Sequence, residues 1–244
     1  MNGRYIYIGS YSGTPGIGRA VFYVELIYID LKSSHGYAIL THKVAVHMPF
    51  NLVYVDSPHG GMDGGCSSAA GVPEKGINLN ILLNLRDLLS VSGYEVVVTR
   101  DTDRSIHDSG IEGIANQKSS DMDNRLAIFN ERSNAVCISI HQNQFTDPKY
   151  SGAQMFYAPT NKDSERLAQK LQGSFHTRLQ PDNDREIKQC GKELFLCYFS
   201  KNPTVMVECG FLSNPEEAAR LTDEAYQRQV AFTIYAGLQE YLAG

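Results

Sequence analysis

Three short apolar runs of this sequence each end in residues that can do chemistry. Asp56-Ser57-Pro58-His59-Gly60-Gly61 follows the first, His141 and Asn143 follow the second, and Glu208 follows the third. Glu74 opens an amphipathic stretch after the first run. Two imidazoles and one carboxylate make a catalytic zinc site, because they leave a fourth position for water and lower its pKa to about 7. His59, Glu74 and His141 are the expected ligands. Such a site also needs a carboxylate off the metal to accept the water's proton and pass it to a leaving amine. Glu208 is the spare acid.

Periodicity supplies the elements that must carry these residues. From position 51 onward, short apolar runs alternate with amphipathic stretches, which is the signature of a layered α/β fold. Strands are expected at 52–55, 95–99, 135–140, 153–157, 194–199 and 204–207. A helix is expected over 75–91, with Ile77, Ile81, Leu85 and Leu88 on one stripe. A second begins at a Ser120 cap and carries Met122, Leu126 and Phe129. A third carries Leu167, Leu171, Phe175 and Leu179, and a last one Tyr226, Val230, Ile234, Leu238 and Tyr241. Ser213-Asn214-Pro215-Glu216 reads as a helix start. Residues 101–120 hold few apolar side chains and are expected to form a long mobile loop that gates the site. In open α/β sheets ligands bind beyond the carboxyl ends of strands, and the two histidines and Glu208 all fall there.

Composition narrows the class. The chain has 244 residues, is 42% hydrophobic and carries a net charge of -5. No clustered basic face invites nucleic acid, and no apolar run reaches the roughly 20 residues of a membrane span. Residues 1–50 are rich in Tyr, Ile and Val with Gly/Ser/Pro punctuation, and read as a β-rich segment of unassigned role before a catalytic domain at 51–244. No secretory signal is visible in them. Five scattered cysteines (Cys66, Cys137, Cys190, Cys197, Cys209) form no C-x-x-C pair and read as reduced or buried thiols.

Other reactive residues have plainer explanations. Cys209 lies in an apolar strand end, where packing explains it better than nucleophilic chemistry. His107 and His176 read as loop and helix-surface histidines, and His35, His42 and His47 as strand or surface histidines. Asn143 reads as a brace. Gly60-Gly61 and Gly64-Gly65 lack the Lys-Ser/Thr of a phosphate loop.

The segments V-D-S-P-H-G-G-M-D-G-G (Val55 to Gly65), E-K-G-I-N-L-N (Glu74 to Asn80), S-I-H-Q-N (Ser139 to Asn143) and V-E-C-G-F-L-S-N (Val207 to Asn214) occur in this order. They resemble the zinc-type N-acetylmuramoyl-L-alanine amidases, and the likeness spans about 52–242. The resemblance implies a twisted, mostly parallel sheet with helices on both faces. It implies one zinc ion on His59, Glu74 and His141, with Glu208 catalytic. The implied substrate is peptidoglycan, cut at the amide between N-acetylmuramic acid and L-alanine, in an extracytoplasmic setting and with an accessory protein left open. Among subgroups, the germination-specific amidases are most similar. Ser57-Pro58 stands where the family usually has Gly before the first histidine, so the turn must be reshaped. Two rival readings are a zinc carboxypeptidase, disfavoured by the long His59-to-Glu74 spacing, and a silent wall-binding module, disfavoured by retention of Glu208.

Overall fold

A computed structural model describes residues 51–243 and, before them, the backbone of three strands: β1 (Arg4–Gly9), β2 (Val21–Ile29) and β3 (Ile39–His47). These three form an antiparallel sheet in the order β1-β2-β3 and belong to a separate compact unit, Met1–Asn51. The side chains of His35, His42 and His47 fall outside the described residues.

The second unit, Leu52–Gly244, is built on six strands in the order β5-β4-β6-β9-β7-β8. They are β4 (Leu52–Asp56), β5 (Glu95–Val98), β6 (Ala135–Asn143), β7 (Gln154–Tyr157), β8 (Lys188–Gln189) and β9 (Thr204–Phe211). β5, β4, β6 and β9 run parallel, while β7 is antiparallel to β9. The parallel strands therefore end on a common rim, as the motif positions require.

Alternation splits their side chains cleanly. Val53, Val55, Val136, Ile138, Ile140, Val205 and Val207 are fully buried on one face. Helices α1 (Glu74–Val91) and α3 (Asp163–Arg178) lie against that side, and α6 (Glu224–Leu242) packs against both. Gly237 of α6 permits the close approach, since a Cβ there would sit 3.0 Å from the Leu171 Cα. On the opposite face Leu52, Tyr54, Ala135 and Cys137 pack under α2 (Ile114–Phe129) and α4 (Phe195–Phe199), with Phe129 and Leu196 among them. Asp56, Ser139, His141 and Glu208 continue this second face toward the rim.

Two expected elements differ. Within the expected strand 194–199, residues Phe195–Phe199 form the helix α4; a five-residue apolar run fits either state, and here Leu196 and Cys197 are buried beneath the sheet. α2 begins at Ile114 after Gly113, two turns before the expected Ser120 cap. Its first turns face solvent and so leave no apolar stripe. Their backbone is helped by Asn116 donating to the Glu112 carbonyl and Gln117 to that of Ile111. By contrast α5 (Pro215–Leu221) starts as its sequence indicates, with the Asn214 side chain accepting from the amides of Glu216 and Glu217. Among the described residues no helix is long and apolar enough to cross a membrane.

Candidate metal centre

β4 delivers the chain to the rim, where Asp56 gives way to the turn at 57–65. His59 takes a left-handed φ of 64°, and Gly60 (φ 132°) approaches the neighbouring chain so closely that a Cβ would sit 2.3 Å from the Arg104 carbonyl oxygen. That turn aims the imidazole of His59 inward. Glu74 is the first residue of α1 and is 3% exposed, an unusual place for a carboxylate that serves only the helix dipole. His141 projects from β6 just before a register shift between His141 and Asn143.

These three side chains converge. Glu74 Oε2 lies 3.4 Å from His59 Nε2, and Glu74 Oε1 lies 3.4 Å from His141 Nδ1. The two rings meet nearly edge-on at 81°. One ligand atom from each residue falls within 4.8 Å of the others. Bonds of about 2.0–2.1 Å in tetrahedral geometry put neighbouring ligand atoms roughly 3.4 Å apart, so the donor set fits a zinc-sized cation. Gly65 supplies the clearance: a Cβ there would meet Glu74 Oε2 and His59 Cδ2, each at 2.6 Å.

The electrostatics suit a cation. Burial pushes the Glu74 carboxyl up, but hydrogen bonds from His141 and His59 outweigh it and hold the group well below the usual range. Burial pushes both histidines down, yet Glu74 raises both, joined by Asp63 at His59 and by Glu208 at His141. The negative field that raises their proton affinity also attracts a metal ion. Asp63 Oδ2, 2.9 Å from His59 Nδ1, fixes the ring with Nε2 turned to the site. Lys118 Nζ in turn sits 2.9 Å from Asp63 Oδ1.

Glu208 stands beside these ligands. It pairs in register with His141 across β6 and β9, so both point to the same face. Its Oε2 is buried without a hydrogen-bond partner among the described residues. Burial is the main cause that pushes its carboxyl up to about 7. A carboxylate in that state is a proton acceptor awaiting a donor.

A cleft of about 280 Å³ opens over His59 and His141. Met62, Ile114 and Met122 form its apolar wall, with His107 and Lys118 at its polar edge. The wall that 101–113 contributes is tied down, contrary to the expected mobility. Asp121 accepts from Ser105 Oγ and the Ile106 amide, and Asn124 holds the Ile106 carbonyl. Polar side chains replace the apolar anchors that periodicity detects.

The plainer explanations agree with the geometry. None of the five cysteines is disulfide-bonded; four are buried and Cys66 is partly so. Burial raises the thiol pKa of Cys209, and the same holds for Cys66. His107 bonds Ser105 Oγ, and exposed His176 meets the Asn183 carbonyl. The backbone carbonyl of Asn143 accepts from the Leu212 amide. Sequence reasoning missed Asp63, Arg100, Asp121 and Arg125. The His59–Asp63 and Asp121–Arg125 spacings of four were the available signals.

The sequence pattern of the N-acetylmuramoyl-L-alanine amidase family matches residues 53–240. The germination-specific N-acetylmuramoyl-L-alanine amidase of Bacillus subtilis is 33% identical over 190 residues, covering 78% of this chain and 79% of that protein. Among solved structures, the CwlD amidase from Clostridioides difficile, in complex with the GerS lipoprotein, is 36% identical with a TM-score of 0.76, over 79% of this chain and 98% of that one. An N-acetylmuramoyl-L-alanine amidase from Clostridium difficile 630 is 30% identical with a TM-score of 0.69, over 80% and 98%.

Proposed function

This chain belongs to the N-acetylmuramoyl-L-alanine amidase family, and from that premise we propose that it hydrolyses the amide joining N-acetylmuramic acid to the L-alanine of peptidoglycan, with His59, Glu74 and His141 holding one zinc ion and Glu208 moving the proton. The observation that carries this reading is the Glu208 Oε2, buried without a hydrogen-bond partner among the described residues, beside a three-ligand cluster. Structural clusters satisfy their acids; this one keeps an acid in reserve.

Zinc in such a site supplies Lewis acidity toward the amide carbonyl and toward water. The chain's own residues do the rest. Asp63 holds the His59 ring in the tautomer that leaves Nε2 free to ligate. Glu74 supplies the negative charge of the ligand set. Glu208, held as a carboxylate off the ligand set, takes a proton from the attacking water and returns it to the alanine nitrogen as the C–N bond breaks. Met62, Ile114 and Met122 offer an apolar surface along one side of the cleft.

The setting is proposed to be extracytoplasmic, where its substrate lies, and the germination-specific relative supports a role in spore-cortex or wall remodelling. Mass spectrometry of muropeptides before and after incubation tests the reaction. Release of stem peptides with a free L-alanine amine, abolished by chelator and restored by zinc, is the expected result. Intact muropeptides in a zinc-loaded preparation would instead favour a wall-binding module, and release of a terminal amino acid would favour a carboxypeptidase.

A further inference from the structure

Two arginines, each 1% exposed, bond to the chain around the centre rather than to its ligand atoms. Arg100 donates to the carbonyls of Ser57 (2.8 Å), Thr102 (3.0 Å), Pro58 (3.2 Å) and Lys75 (2.7 Å). Arg125 donates to the carbonyls of Ser57 (2.8 Å) and His59 (3.1 Å) and to Thr99 Oγ1 (3.1 Å), and forms ion pairs with Asp56 and Asp121. The three successive carbonyls at 57, 58 and 59 are thus each taken by a guanidinium.

That arrangement answers a local problem. After Asp56 the chain leaves the sheet, Pro58 has no amide hydrogen to give, and His59 sits in the left-handed region that a side chain disfavours. Such a conformation persists only when surrounding groups over-determine it. Arg100 also reaches the carbonyl of Lys75, the residue after Glu74, so one side chain ties two ligand-bearing segments together. All four hydrogen bonds described for Arg100 end on backbone carbonyls, an arrangement that fixes geometry at the cost of burying a charge. Lysine could not span these acceptors, because its single ammonium lacks the planar fork.

We propose that Arg100 and Arg125 are positioning residues that hold His59 in place against Glu74 and His141 before a metal arrives, so that the centre is preformed. The inference rests on the ligand assignment above. It is tested on the metal-free full chain with Arg100→Lys, Arg125→Lys and, as a control, Leu171→Ala, which opens a cavity between α3 and α6 remote from the site. Zinc affinity is read by competition with a chromogenic chelator, and geometry by the visible spectrum of the cobalt-loaded protein. Each arginine variant is expected to lose roughly 10- to 100-fold in affinity and to alter the cobalt spectrum, while the control loses thermal stability alone. Wild-type affinity and spectrum in both arginine variants would overturn the inference, as would an equal loss of affinity in the control. If Arg125→Lys fails to fold because Asp56 loses its partner, Arg100→Lys decides. A parent chain that binds no zinc would overturn the ligand assignment as well, which separates the two failures.

Discussion

The two faces of the central sheet are built from the same strands and obey different rules. On the α1/α3 side, Val53, Val55, Ile138, Ile140, Val205 and Val207 are apolar from end to end. On the α2/α4 side, the alternate positions begin apolar at Leu52, Tyr54, Ala135 and Cys137 and turn polar toward the rim at Asp56, Ser139, His141 and Glu208. Ser139 Oγ and Thr99 Oγ1 both donate to Asp56, which also pairs with Arg125. Burial pushes the Asp56 carboxyl up, but Arg125 and these hydroxyls outweigh it and keep the group anionic. One face stabilises by excluding water. The other spends part of its buried surface on a polar network that fixes the direction of a few side chains. The contrast shows how one sheet can separate stability from chemistry without separate domains.

The sharpest way to break that separation is Glu208→Gln, which should lower muropeptide turnover by about 10²- to 10⁴-fold with zinc content retained by elemental analysis. Substantial turnover in the zinc-loaded variant would sink the role of Glu208. On the apolar face, Leu85→Ala should cost about 2–5 kcal/mol in denaturant unfolding. Its turnover per folded molecule should stay at the parent value, and a parallel loss would show that the faces are coupled.

A smaller effect tests the cost of the polar face itself. Folding raises the Glu208 carboxyl from 4.5 to about 7, so the folded chain binds the extra proton and stability falls as pH climbs through that window. In chelator, Glu208→Gln should therefore melt a few degrees higher than the parent near pH 8 and at the same temperature once the pH is well below 4.5. Zinc loading should cancel the gain, because a dication favours the carboxylate. Equal melting points at both pH values would mean that the buried acid carries no such cost. Smallest of all, Arg132→Ala removes an exposed ion pair with Glu95 and should change stability by less than about 1 kcal/mol.

What the sequence by itself determined is what leaves a local or periodic trace. The stripes of α1, α3 and α6 were legible because burial of one helix face repeats every 3.6 residues, and the Asn214 cap and the four motifs because each is a run of neighbouring residues. Only the tertiary structure decided where α2 begins, that Phe195–Phe199 is helical, that the 101–113 wall is fastened, and that Arg100 and Arg125 hold the His59 turn. The fastened wall and the held turn depend on hydrogen bonds between separate segments, such as Arg125 to the Ser57 carbonyl, and the helix α4 on the burial of Leu196 and Cys197 beneath the sheet. A guanidinium that reaches a distant backbone carbonyl imposes no spacing on its neighbours, so nothing in the order of residues records it.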